Sequence, residues 1–345
     1  MLDIINDQSL SEVIKRVDMN QTLLITGEGE TNHAVNKIMY YDTIEAVNAA
    51  YGESDLSEAF RIAKQIGVPH AFLVNVKNNH DYIELVNVLK HYDFAYIAPI
   101  NLYLGDAFFD ATRNNKKIGY YHHFLEKLSS NTKSLFVATD NHASLYEDID
   151  AYLEDMTSII KSFKDGMTAK MDGRNLCFVA NNLRNYPFAN IILASVLCVT
   201  DLGMYPSFGN LGPVVFDIDG LDIGQYEMAY FKSNYLSGIT VENLLNFNSK
   251  VEPEKIVMID RIAKYIRRNL DLSRFKGKQM SAYQERRIEK ALVEFFDPLI
   301  NWIIRSYRIN SIQFIKDVPG AGVVVCDIDI WPISSTEKFS VVVEG

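Results

Sequence analysis

The sequence of 345 residues predicts an α/β protein: a mixed sheet flanked by helices, followed by a helical and β-strand C-terminal domain with extended N- and C-terminal arms. Two observations support this fold class. Short apolar strands alternate with capped helices between Tyr40 and Pro99, as expected for a parallel or mixed sheet with covering helices. After Pro253 the pattern changes to amphipathic helices and then two strands of period two. We therefore divide the chain into an N-terminal arm (1–20), an α/β body (21–250) and a C-terminal domain (251–345).

The first predicted strand, Thr22 to Thr26, leads into the glycine pair Gly27 and Gly29. A glycine-rich turn after a strand can bind phosphate. Here Glu28 and Glu30 place negative charge where phosphate oxygens would lie, and no Gly-Lys-Ser/Thr follows. The sequence therefore argues against a nucleotide site at this turn.

Capping signals mark the next elements of the body. The box Asp55-Leu56-Ser57-Glu58 predicts a helix that ends at Gly67, and a second box at Asp81 to Glu84 predicts another. Apolar patterns predict further strands at 71–76, 94–98, 135–139, 176–180, 214–218 and 238–241. They also predict a helix from about 144 to 163, with Leu145 on its apolar stripe. The apolar run 188–199 predicts a buried helix, and Pro187 lies where a proline is tolerated in the first turn of that helix.

The C-terminal domain begins with an amphipathic helix predicted over Lys255 to Leu270. A capping box at Ser281 to Gln284 starts a second helix, and Asp297-Pro298 ends or kinks it. A shorter helical stretch is predicted to reach about Tyr307.

Two strands close the sequence, within 322–345. Val324, Cys326, Ile328 and Ile330 alternate with the intervening residues, and after a break at 331–335 the same alternation returns at Phe339, Val341 and Val343. A last strand has no later element to cover its edge, so its backbone groups need partners elsewhere. Either it lies in its own sheet or it is exchanged between subunits.

Charge is distributed unevenly. The net charge of −10 argues against general nucleic-acid binding, yet residues 254–290 carry eleven Lys or Arg against five Asp or Glu. This basic segment is either a solvated helical face or a surface for an acidic partner. We expect no secretion signal and no membrane insertion, and the three isolated cysteines favour a reduced, cytoplasmic history.

Candidate catalytic motifs are weak. Asp217-Ile218-Asp219-Gly220 resembles a phosphoryl-transfer turn, but Leu221 stands where such sites need a hydroxyl residue. The adjacent His122 and His123 would point about 100° apart on a helix, so they cannot bind one metal as an i, i+4 pair does. No nucleophile motif is present, and we expect no enzyme activity, no cofactor and no metal.

With these residues laid out, the sequence resembles the contractile tail sheath proteins of phages and phage-like particles. The resemblance begins at Tyr41 to Val47, continues through Tyr51 to Ala59 and Gly67 to Val76, and resumes at Val257 to Arg268 and in the two last strands. No short motif is diagnostic, but pattern and order agree over most of the chain.

The resemblance implies a homo-oligomer of stacked six-subunit rings around an inner tube, with baseplate and tail terminator proteins as further partners, in a virion tail assembled in the host cytoplasm. It implies contraction that drives the tube through a target envelope. Terminal arms would tie neighbours together through Leu2, Ile4 and Ile5 at one end and Phe339, Val341 and Val343 at the other. A basic surface would face the tube: Arg267, Arg268, Lys276, Lys278, Arg286 and Arg287. Two alternatives stay open: an α/β enzyme acting on a phosphate-containing substrate, and a non-contractile baseplate or collar component.

Overall fold

A computed structural model gives the structure of the chain. It describes residues 22–89, 91–92, 94–110, 116–128, 134–141, 145–200, 207–209, 211, 216, 228–234, 238–247, 266, 270, 281–301, 304–318, 321–332 and 339–344. The chain divides into two compact units: Met1–Asp201 with Tyr205–Pro253, and Leu202–Met204 with Glu254–Gly345.

A six-stranded sheet forms the centre of the first unit. Its strands are β1 (Leu23–Gly27), β2 (Ile38–Tyr41), β3 (Ala71–Asn75), β4 (Tyr96–Pro99), β7 (Leu135–Ala138) and β8 (Leu176–Phe178), in the order β2-β3-β1-β4-β7-β8. All neighbours are parallel except β2, which runs antiparallel to β3. The strands β1 and β3 are buried along their whole length, which explains why their sequences are continuous apolar runs. The predicted α/β class with a mixed sheet is confirmed.

Six helices of the first unit are described: α1 (Ile44–Tyr51), α2 (Asp55–Ile66), α3 (Asp81–Leu89), α4 (Tyr120–Leu128), α5 (Ile149–Asp165) and α6 (Ala189–Val199). The sequence did not predict α1 or α4. The cap of α2 is Ser54, whose Oγ accepts a hydrogen bond from Ser57 N at 3.3 Å, so the predicted cap at Asp55 lies one residue too late. The helix ends as predicted at Gly67, whose φ of 116° is easily adopted only by glycine.

The predicted starts of the other body helices also shift. Asp81 is the first residue of α3 and donates its N–H to Asn78 Oδ1 at 3.2 Å. The cap of α5 is Asp148, so Leu145 lies before the helix and is 74% exposed, contrary to its predicted place on the apolar stripe. Phe188 is the N-cap of α6, which puts Pro187 outside the first turn. All three helices are present where the sequence predicted helices, and their first residues differ from the predicted ones.

Smaller sheets complete the described part of the first unit. The strands β5 (Ala107–Asp110) and β6 (Lys116–Gly119) form an antiparallel hairpin, which the sequence did not predict. The strands β9 (Ser207–Phe208), β10 (Tyr230–Asn234) and β11 (Gly238–Glu242) form a second sheet in the order β10-β11-β9. The predicted strand at 214–218 lies outside the described residues except for Phe216, which forms an isolated bridge with Leu183.

The second unit combines one described helix with a three-stranded antiparallel sheet. The helix α7 (Ala282–Phe296) begins at the predicted cap, where Ser281 Oγ accepts from Gln284 N at 3.3 Å, and a 3₁₀ turn over Asp297–Leu299 ends it. The sheet contains β12 (Ile304–Val318), β13 (Ala321–Pro332) and β14 (Phe339–Glu344). The predicted helical stretch reaching Tyr307 is wrong, because that residue lies in β12. The helix predicted at 255–270 falls outside the described residues except Ile266 and Leu270.

Within the described ranges, no helix has the length and apolarity needed to cross a bilayer.

Candidate assembly interface

The sheet of the second unit is organised around β13, which lies between β12 and β14. β12 pairs with β13 from Ile304 opposite Pro332 to Val318 opposite Ala321, with three register shifts. β14 pairs with the other side of β13, from Phe339 opposite Ile330 to Glu344 opposite Val325. The two outer strands therefore each present one edge that no described strand covers, apart from the isolated bridge between Ile300 and Ile304.

One face of this sheet forms the core of the unit. Cys326, Ile328 and Ile330 of β13 are fully buried, and they pack in one cluster with Leu292 and Phe296 of α7. Burial raises the pKa of the Cys326 thiol to about 11. Full burial of one such aliphatic side chain stabilises the fold by about 1.5–3 kcal/mol, so this face fixes which side of β13 points inward.

The opposite face of β13 carries carboxylates. Asp329 is fully buried, and its Oδ2 accepts a hydrogen bond from Arg308 Nη2 on β12 at 2.9 Å. Arg308 Nε also donates to Asn310 Oδ1 at 2.9 Å, and Asn310 Nδ2 donates to Asp327 Oδ2 at 3.4 Å. These four side chains form a polar ladder that joins β12 to β13.

The structure places the predicted terminal strand in the chain's own sheet. In the backbone register, Phe339, Val341 and Val343 stand opposite Ile330, Ile328 and Cys326. The other predicted arm residues, Leu2, Ile4 and Ile5, lie outside the described residues. Exchange of either arm between subunits stays a prediction.

The predicted basic surface is described only in part. Arg286 and Arg287 lie on exposed positions of α7, and the Arg287 guanidinium carbon lies 5.7 Å from the ring centroid of the exposed Tyr283. Arg267, Arg268, Lys276 and Lys278 lie outside the described residues. The common face of the six residues therefore stays a prediction.

The histidine pair of the first unit has a packing role. His122 Nε2 donates to Phe163 O at 2.8 Å, and its ring stacks on Phe163 with centroids 4.0 Å apart. A Cβ at Gly119 or Gly166 would lie 2.6 or 2.9 Å from this ring, so both glycines make room for it. Burial lowers the pKa of His122. His123 packs edge-on against Phe108 instead, so the two rings do not converge on one ligand.

The carboxyl edge of the parallel strands is where ligands bind in open α/β sheets. In this chain the edge is acidic. Asp140, directly beyond β7, is buried, and the pKa of its carboxyl is raised to about 6 by burial first and by the charges of Asp106 and Asp155. Beyond β1, Lys77 Nζ lies 3.6 Å from Glu28 Oε1 and donates to Gly29 O. An edge with this charge is a poor site for phosphate.

Metal ligands do not cluster in the described parts of the chain, where no group of three His, Cys, Asp or Glu side chains could hold an ion. The Asp217 and Asp219 turn lies outside those parts.

Sequence reasoning missed β12 and the polar ladder it supports. The residues of β12 that pack against the core are Ile304, Tyr307, Ile309 and Ile312, which are spaced by three, two and three positions. A regular strand would repeat every two. The register shifts between Ile304 and Ser306 and between Ile309 and Ser311 each insert a residue, so the spacing resembles a helix.

Comparison with known proteins gives a match of fold alone. No protein-family model and no curated protein matches the sequence. Among solved structures, the sheath tail protein of Listeria innocua matches with a TM-score of 0.65 and 11% identity, over 95% of this chain and 96% of that one. The sheath tail protein of Desulfitobacterium hafniense matches with a TM-score of 0.64 and 12% identity, over 94% and 96%.

The chain has the contractile tail sheath fold. A third tail sheath structure, the contracted sheath complex of the extracellular contractile injection system PVC, matches with a TM-score of 0.63 and 11% identity, over 92% of this chain and 89% of that one. The tail sheath fold thus extends over both units of the chain, which confirms the resemblance at the level of fold.

Proposed function

We propose that this chain is the structural subunit of a contractile tail sheath. In this function it polymerises as stacked hexameric rings around an inner tube and contracts to drive the tube through a target envelope. The observation that carries the proposal is the tail sheath fold over 92–95% of the chain in three sheath structures of similar length. The partners are further copies of the chain, the tube protein, and baseplate and tail terminator proteins. The subunit works in the tail of a virion or phage-like particle assembled in the bacterial cytoplasm.

The second unit supplies the proposed contacts between subunits. β14 is the strand to be donated, and the uncovered edge of β12 is a position where the N-terminal arm of a neighbour, with Leu2, Ile4 and Ile5, adds as a further strand. Each main-chain hydrogen bond formed in this way contributes about 0.5–1.5 kcal/mol net. Exchanged strands of this kind would keep neighbours tied while their bodies rotate as rigid units.

The role requires no catalysis and no cofactor. The carboxyl edge of the main sheet, where Asp140 follows β7 and Glu28 follows β1, disfavours the alternative of a phosphate-directed enzyme.

A non-contractile component is the second candidate. A chain of the contracted anti-feeding prophage baseplate matches with a TM-score of 0.55 and 10% identity, over 81% of this chain and 78% of that one. The match is weaker and shorter than the matches to the sheath structures, so we place it second.

Electron microscopy of the purified protein tests the proposal, alone and with the tube protein. We expect tubes of constant width built from stacked rings. Rings that never stack would favour the collar or baseplate component, and a protein that stays monomeric at high concentration and on added tubes would refute both assembly functions.

A further inference from the structure

β13 and β14 pair in one register. The inference about how that register is set rests on the strand exchange proposed above. β14 reads Phe-Ser-Val-Val-Val-Glu from Phe339 to Glu344. A shift by two residues would keep every side chain on its own face of the sheet, so the facing of the side chains alone does not fix the register. When β14 pairs with its own chain, the connection 333–338 limits such shifts. When a neighbour donates the strand, that connection no longer sets the register.

In the observed register, neither polar residue of β14 stands opposite a residue that would repel it. Ser340 stands opposite the fully buried Asp329, and Glu344 stands opposite Val325. In the same register Phe339, Val341 and Val343 stand opposite the buried Ile330, Ile328 and Cys326.

The two shifted registers each break this arrangement. In the first shifted register, each residue of β13 meets the β14 residue two positions later in the sequence, so Val342 stands opposite Asp329 and Glu344 stands directly opposite Asp327. Like charges in directly opposed positions destabilise an antiparallel pair. In the second register, Glu337 would stand opposite the fully buried Ile330, where a carboxylate costs free energy. That register would also place Lys338 opposite Asp329, an attractive pair, so only Glu337 disfavours it.

We infer that Asp327 and Asp329 exclude the register in which Glu344 of a second copy's terminal strand would stand opposite Asp327, and that Ser340 and Glu344 are the residues of that strand on which this exclusion depends. The polar ladder through Arg308 and Asn310 holds both carboxylates in place before the strand arrives. The buried isoleucines supply affinity for any valine-rich strand, whereas the carboxylates disfavour the register that brings Glu344 opposite Asp327.

Cys326 provides a built-in probe of this register. It stands opposite Val343, and directly opposed residues of an antiparallel pair lie about 4.5–5.5 Å apart between Cα atoms, within the range of a disulfide. Three single variants report three registers through this native thiol: Val343→Cys the observed one, Gly345→Cys the shift that opposes Glu344 to Asp327, and Val341→Cys the shift that buries Glu337. Each is assembled, oxidised with a copper catalyst and resolved on a non-reducing gel, with the unsubstituted protein as the background.

We expect the Val343→Cys cross-link to exceed the Gly345→Cys cross-link by about tenfold, since two unfavourable cross-strand pairs each change a population by up to about fivefold. Adding Ser340→Val and Glu344→Lys to all three probes removes the serine and turns the opposed charges into an attractive pair. The Gly345→Cys cross-link should then rise at least threefold relative to Val343→Cys. The matched control Ser340→Thr keeps the hydroxyl and should leave the distribution unchanged.

The same gels separate this inference from strand exchange itself. The position of the cross-link reports the register, and its mass reports whether one chain or two are joined. Cross-links confined to single chains in assembled tubes would overturn strand exchange. Equal cross-linking at all three probes, or a distribution unchanged by Ser340→Val with Glu344→Lys, would overturn register selection by the carboxylates.

Discussion

The ion pair between Arg308 and Asp329 makes a quantitative prediction about the stability of the second unit. Asp329 is fully buried, whereas the Arg308 side chain is 62% exposed. Replacing Arg308 by Met keeps most of the aliphatic stem but removes the charge-assisted hydrogen bond of 2.9 Å. Breaking a fully buried pair costs about 3–5 kcal/mol and an exposed pair about 0–1. With one partner buried, we expect a loss of about 2 kcal/mol in the free energy of unfolding.

The chain offers a selective probe for this measurement. Its two tryptophans, Trp302 and Trp331, both belong to the second unit, so tryptophan fluorescence during urea unfolding follows that unit. With a urea dependence of about 1–3 kcal/mol per M, the midpoint of Arg308→Met should fall by about 1 M.

Two further variants decide the cause. Arg305→Met removes an exposed arginine from the same strand and should change the midpoint little. Combining Arg308→Met with Asp329→Asn removes the buried charge and should recover at least half of the loss. If Arg308→Met matches Arg305→Met, other contacts of Asp329 carry its stabilisation and the reasoning is wrong.

Four other outcomes are expected. Asp140→Asn should flatten the dependence of body stability on pH. The folded pKa of Asp140, about 6, lies above the unfolded value of 3.8, so the native state binds the proton more tightly and the unsubstituted protein should lose about 2–3 kcal/mol in the free energy of unfolding as the pH rises from 4 to 7. Urea unfolding followed by circular dichroism measures this loss. Deleting 338–345 should leave the α/β body folded but abolish tubes under the electron microscope; normal tubes would exclude a need for β14. Protease should cut residues 1–20 readily in monomers and slowly in assembled sheath, and equal rates would count against an exchanged arm. The last test substitutes the predicted basic surface in pairs with Gln: Arg267, Arg268, Lys276, Lys278, Arg286 and Arg287. At least one pair should weaken assembly on tubes and reduce its sensitivity to salt, because salt screens exposed charges over about 8–10 Å. Unchanged assembly for every pair would mean that this surface faces solvent.

Regular elements of the body could be predicted because their local signals agree with their burial. The stripe on α5 and the continuous apolar strands β1 and β3 follow directly from the period of the structure. Helix starts were less certain because several polar residues in succession can cap a helix. Ser54 and Asp55 are both good caps, and only the hydrogen bond to Ser57 N decides between them.

The candidate interface was predictable only in outline. The alternation in β13 and β14 was visible, but the bulges in β12 disguised a strand as a helical pattern. Asp329 gave no sequence signal of burial, because an outward-facing aspartate in an alternating strand is ordinarily exposed. Only the pairing with Arg308 from a strand that was not predicted shows why its charge is tolerated.

The six-stranded sheet of the first unit and the sheet of the second unit differ in the length of their edge strands, and this difference supports the proposed assignment of assembly to the second unit. The main sheet ends in β2 and β8, which are four and three residues long, and short edge strands limit pairing with other chains. The sheet of the second unit ends in β12, which is 15 residues long, and β14, which has six. A long edge is a liability for a monomer unless another strand is meant to cover it. In the proposed exchange, the carboxylates of the central strand β13 limit how this edge pairs, because they disfavour the register that brings Glu344 opposite Asp327.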